Sequence, residues 1–115
     1  MSKPVAHYSA SYRAGDLLFV SGQVGIADGS LVEGVQNQTL QALNNVQAVL
    51  GQSDLTLEHV VKCTVFMTDI DNFAVINATY AEVFGDHRPS RSAVAVKALP
   101  LGALVEIEAI AHTSS

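Results

Sequence analysis

The spacing of apolar residues near the start of the chain is typical of strands. Residues 16–26, DLLFVSGQVGI, combine β-branched and aromatic residues with later glycines, which predicts a strand that runs into a tight bend. Residues 27–30, ADGS, then predict a turn. A short second strand is expected to begin at Leu31 and Val32.

The period changes to that of a helix at Val35. Apolar and small residues then recur at steps of three and four up to Leu50, which predicts an amphipathic helix. Gly51 is the expected residue just beyond its C-terminus. The positions that define the stripe are Val35, Thr39, Leu43, Val46 and Leu50.

The middle of the chain contains a further strand and a second helix. The segment HVVKCTVFMTD alternates with period two, which predicts that Val61, Cys63, Val65 and Met67 share one face. The segment DNFAVINATYAEVF returns to helical spacing, with Asp71 as its expected N-cap. Gly85 ends this helix in the prediction, and a proline follows shortly after it.

The last part of the chain, PSRSAVAVKALPLGALVEIEAIA, predicts two strands joined as a hairpin by a Pro-Gly turn. The predicted elements form one α+β domain over residues 1–115, with a mixed sheet. Two helices can cover only one face of such a sheet. We therefore expect a neighbouring subunit to cover the other face.

Composition supports an oligomer and argues against some partners. Apolar residues make up 49% of the chain and charged residues 15%, whereas soluble domains average about a quarter charged residues. An excess of apolar side chains is often buried between subunits. The net charge is −5 and no basic stripe is present, so nucleic acid is disfavoured as a partner.

The remaining features of the composition predict a cytoplasmic protein. No apolar run is long enough to span a membrane, and the opening MSKPVAHYSA lacks the apolar region of a signal peptide. A single cysteine excludes an internal disulfide, and its place in an alternating strand predicts that Cys63 is a core thiol. Cysteine and histidine spacing predicts no metal site.

The charged residues of the closing strands are the first candidates for chemistry. Arg91 lies beside small alanines, and Glu106 and Glu108 share one face of the last strand. These residues could form ion pairs on a solvated face. Alternatively, the arginine could bind a ligand carboxylate while a glutamate handles protons.

Two further positions could contribute to such a site. Ser21 and Gly22 end a strand, where a hydroxyl and backbone N–H groups can approach a ligand. Tyr8 carries a polar tip near the N-terminus. A serine before a glycine is commonly a turn residue, and an isolated tyrosine commonly serves packing.

Several of these segments together resemble a known family. The segments YSAS, AGDLLFVSGQ, VVKCTVFMTDIDNFAVINATY, PSRS and EIEAIA are similar to those of the RidA (YjgF) family, over residues 8–111. The resemblance implies a chorismate-mutase-like α+β fold and a homotrimer whose sheets line a central β-barrel. It also implies hydrolysis of reactive enamines and imines, such as 2-aminoacrylate and 2-iminobutanoate, to 2-keto acids and ammonia, without metal or organic cofactor.

The resemblance also implies roles for individual residues. Arg91 corresponds to the family's carboxylate-binding arginine and Glu106 to its water-handling glutamate. Tyr8 and Ser21 correspond to two further catalytic positions, with the backbone of Gly22 adjoining the substrate. Asn77 corresponds to a residue that lines the site in some members.

The chain departs from the family pattern at three positions. His7 replaces a frequent proline, and Ala93 replaces a cysteine found in many members. Arg88 stands where a hydrophobic residue is common, and a second cation beside Arg91 could favour a dicarboxylate or disfavour small apolar imines. The alternatives to a deaminase are a non-catalytic or pathway-specific trimer that binds a small carboxylate metabolite and, third, an endoribonuclease or translation inhibitor.

Overall fold

The computed structural model describes residues 6–114. Residues 1–5 and 115 lie outside the described residues, and so does the start of the MSKPVAHYSA segment that was compared with a signal peptide. The described part contains seven strands and two α-helices, with short 3-10 turns between some of them. The helices are α1, Val35–Gly51, and α2, Phe73–Phe84. The strands are β1 Ser11–Ala14, β2 Leu17–Val24, β3 Ile26–Ala27, β4 Ser30–Leu31, β5 Val60–Met67, β6 Ser90–Ala95 and β7 Val105–His112.

Five of the strands form a mixed sheet in the order β1-β2-β7-β5-β6, while β3 and β4 form a small separate ladder. Strands β5 and β6 are parallel, and the other neighbours in the sheet are antiparallel. The expected α+β architecture is confirmed. The expected hairpin of the last two strands is wrong, because β5 lies between β6 and β7. Helix α2 makes the crossover that places β6 parallel to β5.

Both helices pack on one side of the sheet, which we call the helix face. Alternate residues of β2, β5 and β7 enter this core together with the buried stripes of α1 and α2. Truncating a buried leucine such as Leu43 in such a core costs about 2–5 kcal/mol. The strand residues of the helix face are Leu18, Val20, Cys63, Val65, Met67, Val105, Ile107, Ala109 and Ala111.

The opposite side, which we call the open face, has no covering element among residues 6–114. It presents apolar side chains, including Tyr12 at 72% exposure, Phe19 at 41% and Val94 at 43%. Polar groups lie between them, and the Lys62 ammonium donates to the Ser92 hydroxyl at 3.1 Å. A single chain therefore leaves a mixed apolar and polar sheet surface in solvent.

Three local expectations need correction. A register shift between Val60 and Lys62 turns Val60 into the core and leaves Val61 exposed, so Val61 does not share the face of Cys63. Gly51 is the last residue of α1 rather than the residue beyond it. Asp71 does not cap α2; instead the Asp69 carboxylate accepts from the Asp71 amide at 2.9 Å and caps the preceding 3-10 turn.

Candidate functional site

Arg91 lies on the helix face near the edge of the sheet. It is paired in register with the buried Cys63 of β5, so its side chain extends toward α2. Its Nη1 donates to the Asn77 Oδ1 at 2.8 Å. Its Cζ lies 4.9 Å from the ring centroid of Tyr80 and 5.9 Å from that of Phe73. These contacts hold the guanidinium in place and leave other N–H donors available to a ligand.

The groups beneath Arg91 do not neutralise its charge. Burial raises the pKa of the Cys63 thiol, and burial also raises the pKa of the Tyr80 hydroxyl far above its usual value. Both groups are therefore uncharged near neutral pH, as expected for the core thiol predicted at Cys63. Within residues 6–114 no carboxylate forms an ion pair with Arg91. The arginine is a fixed cation without a counter-ion in the described part of the chain.

A cavity of about 350 Å³ opens beside Arg91. Its lining includes Asn77 and Tyr80 of α2 and the His87–Arg88 segment before β6, and it contains no acidic residue. The His87 Nε2 lies 2.7 Å from the Val60 carbonyl oxygen. A carbonyl oxygen can only accept, so Nε2 carries the proton and donates. The cavity is thus lined by cationic, aromatic and neutral polar groups, which suits an anion.

Glu106 lies on the open face of β7, where it is paired in register with Val24 and Phe66. Its carboxylate packs against Gly22, and a Cβ at that glycine would lie only 2.6 Å from Oε2. Gly22 sits at the register shift between Val20 and Gln23. Burial, and secondarily the charge of Glu108, raises the pKa of Glu106. Glu106 therefore holds a proton more readily than an ordinary glutamate.

A groove of about 980 Å³ adjoins this carboxylate. Tyr8, Gly22 and Glu106 all line it, so the structure brings three of the predicted site residues together. Ser21 is placed differently, because its hydroxyl donates to the Ser9 carbonyl at 2.6 Å. That bond ties the N-terminal segment to β2 and occupies the hydroxyl proton.

The predicted site residues fall into two groups within one chain, on opposite faces of the sheet. Arg91 and Asn77 belong to the helix face, whereas Glu106 belongs to the open face. Strand β6, which carries Arg91, is two strand spacings away from β7, and Glu106 is offset by three residues along β7 from the position level with Arg91. The Cα atoms of Arg91 and Glu106 are therefore roughly 14 Å apart. The interpretation of Arg91 and the glutamates as cross-strand ion pairs is therefore wrong.

Sequence reasoning did not identify the aromatic partners of Arg91. Phe73, Asn77 and Tyr80 are spaced by four and three residues along α2, which places them on one side of a helix. That spacing was visible in the sequence. What the sequence did not show is that this side faces β6, since the α2 crossover sets that contact.

Comparison with known proteins identifies the family. The family described as endoribonuclease L-PSP matches residues 1–113. A RutC family protein of Pyrococcus horikoshii is 43% identical over 113 residues, covering 96% of this chain and 90% of the relative. The crystal structure of Escherichia coli TdcF with bound serine has a TM-score of 0.93 and 36% identity, covering 97% of this chain and 91% of that one.

The chain belongs to this family, which is the RidA (YjgF) family that its motifs resemble. One relative is mmf1 of Schizosaccharomyces pombe, which is named as mitochondrial. It is 43% identical over 108 residues, which cover 90% of this chain and 67% of the relative. The family thus includes a protein named as mitochondrial, and a cytoplasmic location stays a prediction. No helix in residues 6–114 is both long and apolar enough to cross a membrane.

Proposed function

We propose that the chain hydrolyses reactive 2-imino acids and their enamine tautomers to 2-keto acids and ammonia, at sites formed between the subunits of a homotrimer. The observation that carries this proposal is Arg91, a positioned cation with no counter-ion among the described residues. Substrates of this class include 2-aminoacrylate and 2-iminobutanoate. The proposed chemistry uses only water and protein side chains.

Arg91 binds the substrate carboxylate in this mechanism. The planar guanidinium matches a carboxylate with paired N–H donors. Because Asn77 and two aromatic rings already hold the side chain, little conformational entropy is lost when the ligand binds. The substrate is thereby oriented with its imine carbon at a fixed place relative to the arginine.

Glu106 handles the water. As a carboxylate it accepts a proton from the water while the water oxygen bonds to the imine carbon, and it then returns that proton to the imine nitrogen. The C–N bond of the resulting carbinolamine then breaks, the hydroxyl becomes the keto oxygen, and ammonia leaves. The raised pKa of Glu106 makes its carboxylate a stronger base than that of an ordinary glutamate, which suits a group that accepts and returns a proton. Tyr8, which lines the same groove, would contact the substrate from the groove side.

A trimer is part of the proposal because one chain separates Arg91 from Glu106. A head-to-tail arrangement with three-fold symmetry would set the Arg91 cavity of one chain against the Glu106 groove of the next. It would also cover the apolar open face around Phe19 and Val94. We further propose that residues 1–115 form a single domain and that the protein acts in the cytoplasm.

The test is release of keto acid and ammonia from imines generated in situ by threonine dehydratase or an amino-acid oxidase. The wild-type protein should accelerate release above the buffer rate. Arg91→Ala should lose about a hundredfold or more in kcat/KM, because it removes a charge-assisted bidentate contact. Arg13→Ala is the matched control, since that exposed arginine bonds only to Gly15 and Thr113 in the described chain. No acceleration with any imine would refute the proposal.

The second candidate is a non-catalytic trimer that binds a small carboxylate metabolite. The serine bound to TdcF favours it, since serine carries a carboxylate. Ligand-induced stabilisation by keto acids without any turnover would support this candidate over the first. The family description also names an endoribonuclease. The net charge of −5 disfavours RNA, and salt-sensitive RNA binding by the pure protein would restore that activity as a candidate.

A further inference from the structure

The cavity beside Arg91 contains a second cation. Arg88 lies just before β6 and lines the same cavity as Arg91, together with His87. The two arginines are separated by Pro89 and Ser90, and the proline ring restricts the backbone between them. The cavity is therefore lined by two arginines.

No negative charge in the lining offsets these cations. The acidic residues nearest in sequence, Glu82 and Asp86, are exposed and do not line the cavity. Within residues 6–114 neither forms an ion pair with Arg88. A chain with a net charge of −5 thus has one cavity wall that carries only positive and neutral groups. Such local charge selects anions, and most strongly those with more than one negative group.

The two arginines differ in how firmly they are held. Arg91 is anchored by Asn77 and stacked near aromatic rings, whereas Arg88 is exposed and has no hydrogen-bond partner within the described chain. An anchored guanidinium suits the carboxylate that every 2-imino acid carries. A solvent-exposed guanidinium that no other side chain holds in place suits a group that varies between substrates. A cavity of about 350 Å³ has room for a small acid with a second carboxylate.

We infer that Arg88 is a specificity-determining residue that selects 2-imino dicarboxylic acids, with Arg91 binding the carboxylate next to the imine and Arg88 binding the carboxylate of the side chain. This inference rests on the proposed function for its reaction, in which water adds to the imine carbon and ammonia leaves. The imines of aspartate and glutamate belong to this class, and they arise from amino-acid oxidation.

The test compares two imines made in situ by oxidases, the imine of aspartate and the imine of alanine. The measured quantity is the ratio of kcat/KM for the dicarboxylate over that for the monocarboxylate. The ratio should exceed one for the wild type and fall about tenfold or more in Arg88→Gln, because a charge-assisted hydrogen bond is lost. Arg88→Lys should retain part of the preference. Arg13→Gln removes the same charge from a distant exposed site and should leave the ratio unchanged.

Binding separates failure of this inference from failure of the proposed function. Calorimetric titration with oxaloacetate and with pyruvate needs no turnover. If neither imine is hydrolysed but oxaloacetate binds more tightly, and Arg88→Gln removes that difference, the deaminase proposal fails and the dicarboxylate site stands. If the wild type shows no preference for the second carboxylate, or if Arg88→Gln weakens both ligands equally, the inference is overturned.

Discussion

Arg91 and Glu106 lie on opposite faces of one sheet, two strands apart. The register shows this directly, since Arg91 is level with Cys63 and Ala109, while Glu106 lies three residues before Ala109 in β7. An odd number of residues along a strand reverses the face. A small substrate cannot touch both side chains within one chain, so any site that uses both must combine two subunits.

The charge at position 77 should control carboxylate binding. Asn77→Asp places a carboxylate where Oδ1 now accepts from Arg91 at 2.8 Å, and this internal carboxylate would compete with the ligand. We expect the affinity for keto acids to fall about tenfold or more, measured by calorimetry. Asn77→Ala is the control, because it removes the anchor without adding charge and should have the smaller effect. Equal affinity of Asn77→Asp and wild type would contradict this account of Arg91.

Gly22 should be required for the position of Glu106. In Gly22→Ala the new Cβ would lie 2.6 Å from the Glu106 Oε2, so the carboxylate must move. We expect kcat to fall about tenfold or more, while the unfolding free energy changes by less than about 2 kcal/mol. Gly51→Ala is the matched control, since nothing lies within 4 Å of its Cβ position and the residue is helical. A fully active Gly22→Ala variant would show that the carboxylate position is unimportant.

The pH profile should report the ionisation of Glu106. If the carboxylate form accepts the proton from water, kcat/KM falls as the pH drops through the pKa of Glu106. Glu108→Gln removes the neighbouring negative charge, lowers that pKa and moves the acid limb to lower pH. The pKa of Glu106 should still be raised in this variant, because burial is the larger cause of the shift. Glu58→Gln removes one negative charge at an exposed position, as Glu108→Gln does, and should leave the acid limb of the pH profile at the wild-type pH.

Local sequence patterns were sufficient for most elements of the fold. Helix α1 and strand β5 carry clear periods and were predicted with nearly the observed bounds. Short elements were less visible: β1, with four residues, was not predicted at all. The exposure of Val61 was missed because a bulge inserts one residue into an alternating pattern.

Pairing between distant segments was the part that the sequence did not reveal. The segment from Pro89 to Ala111 has the local pattern of a hairpin, yet β5 separates its two strands. Tertiary packing of α2 decides this arrangement, and a local pattern carries no signal for it. For the same reason, parity along the strands suggested that Arg91 and Glu106 could share a face, which the register excludes.

Subunit complementation tests the central claim most directly. Arg91→Ala and Glu106→Gln should each be inactive, and co-refolded equal mixtures should form mixed trimers, verified by native mass spectrometry. A site built from Arg91 of one chain and Glu106 of the next is intact in about a quarter of random pairings, so about a quarter of wild-type activity should return. Mixed trimers with no more activity than the two parent variants would contradict a site shared between subunits.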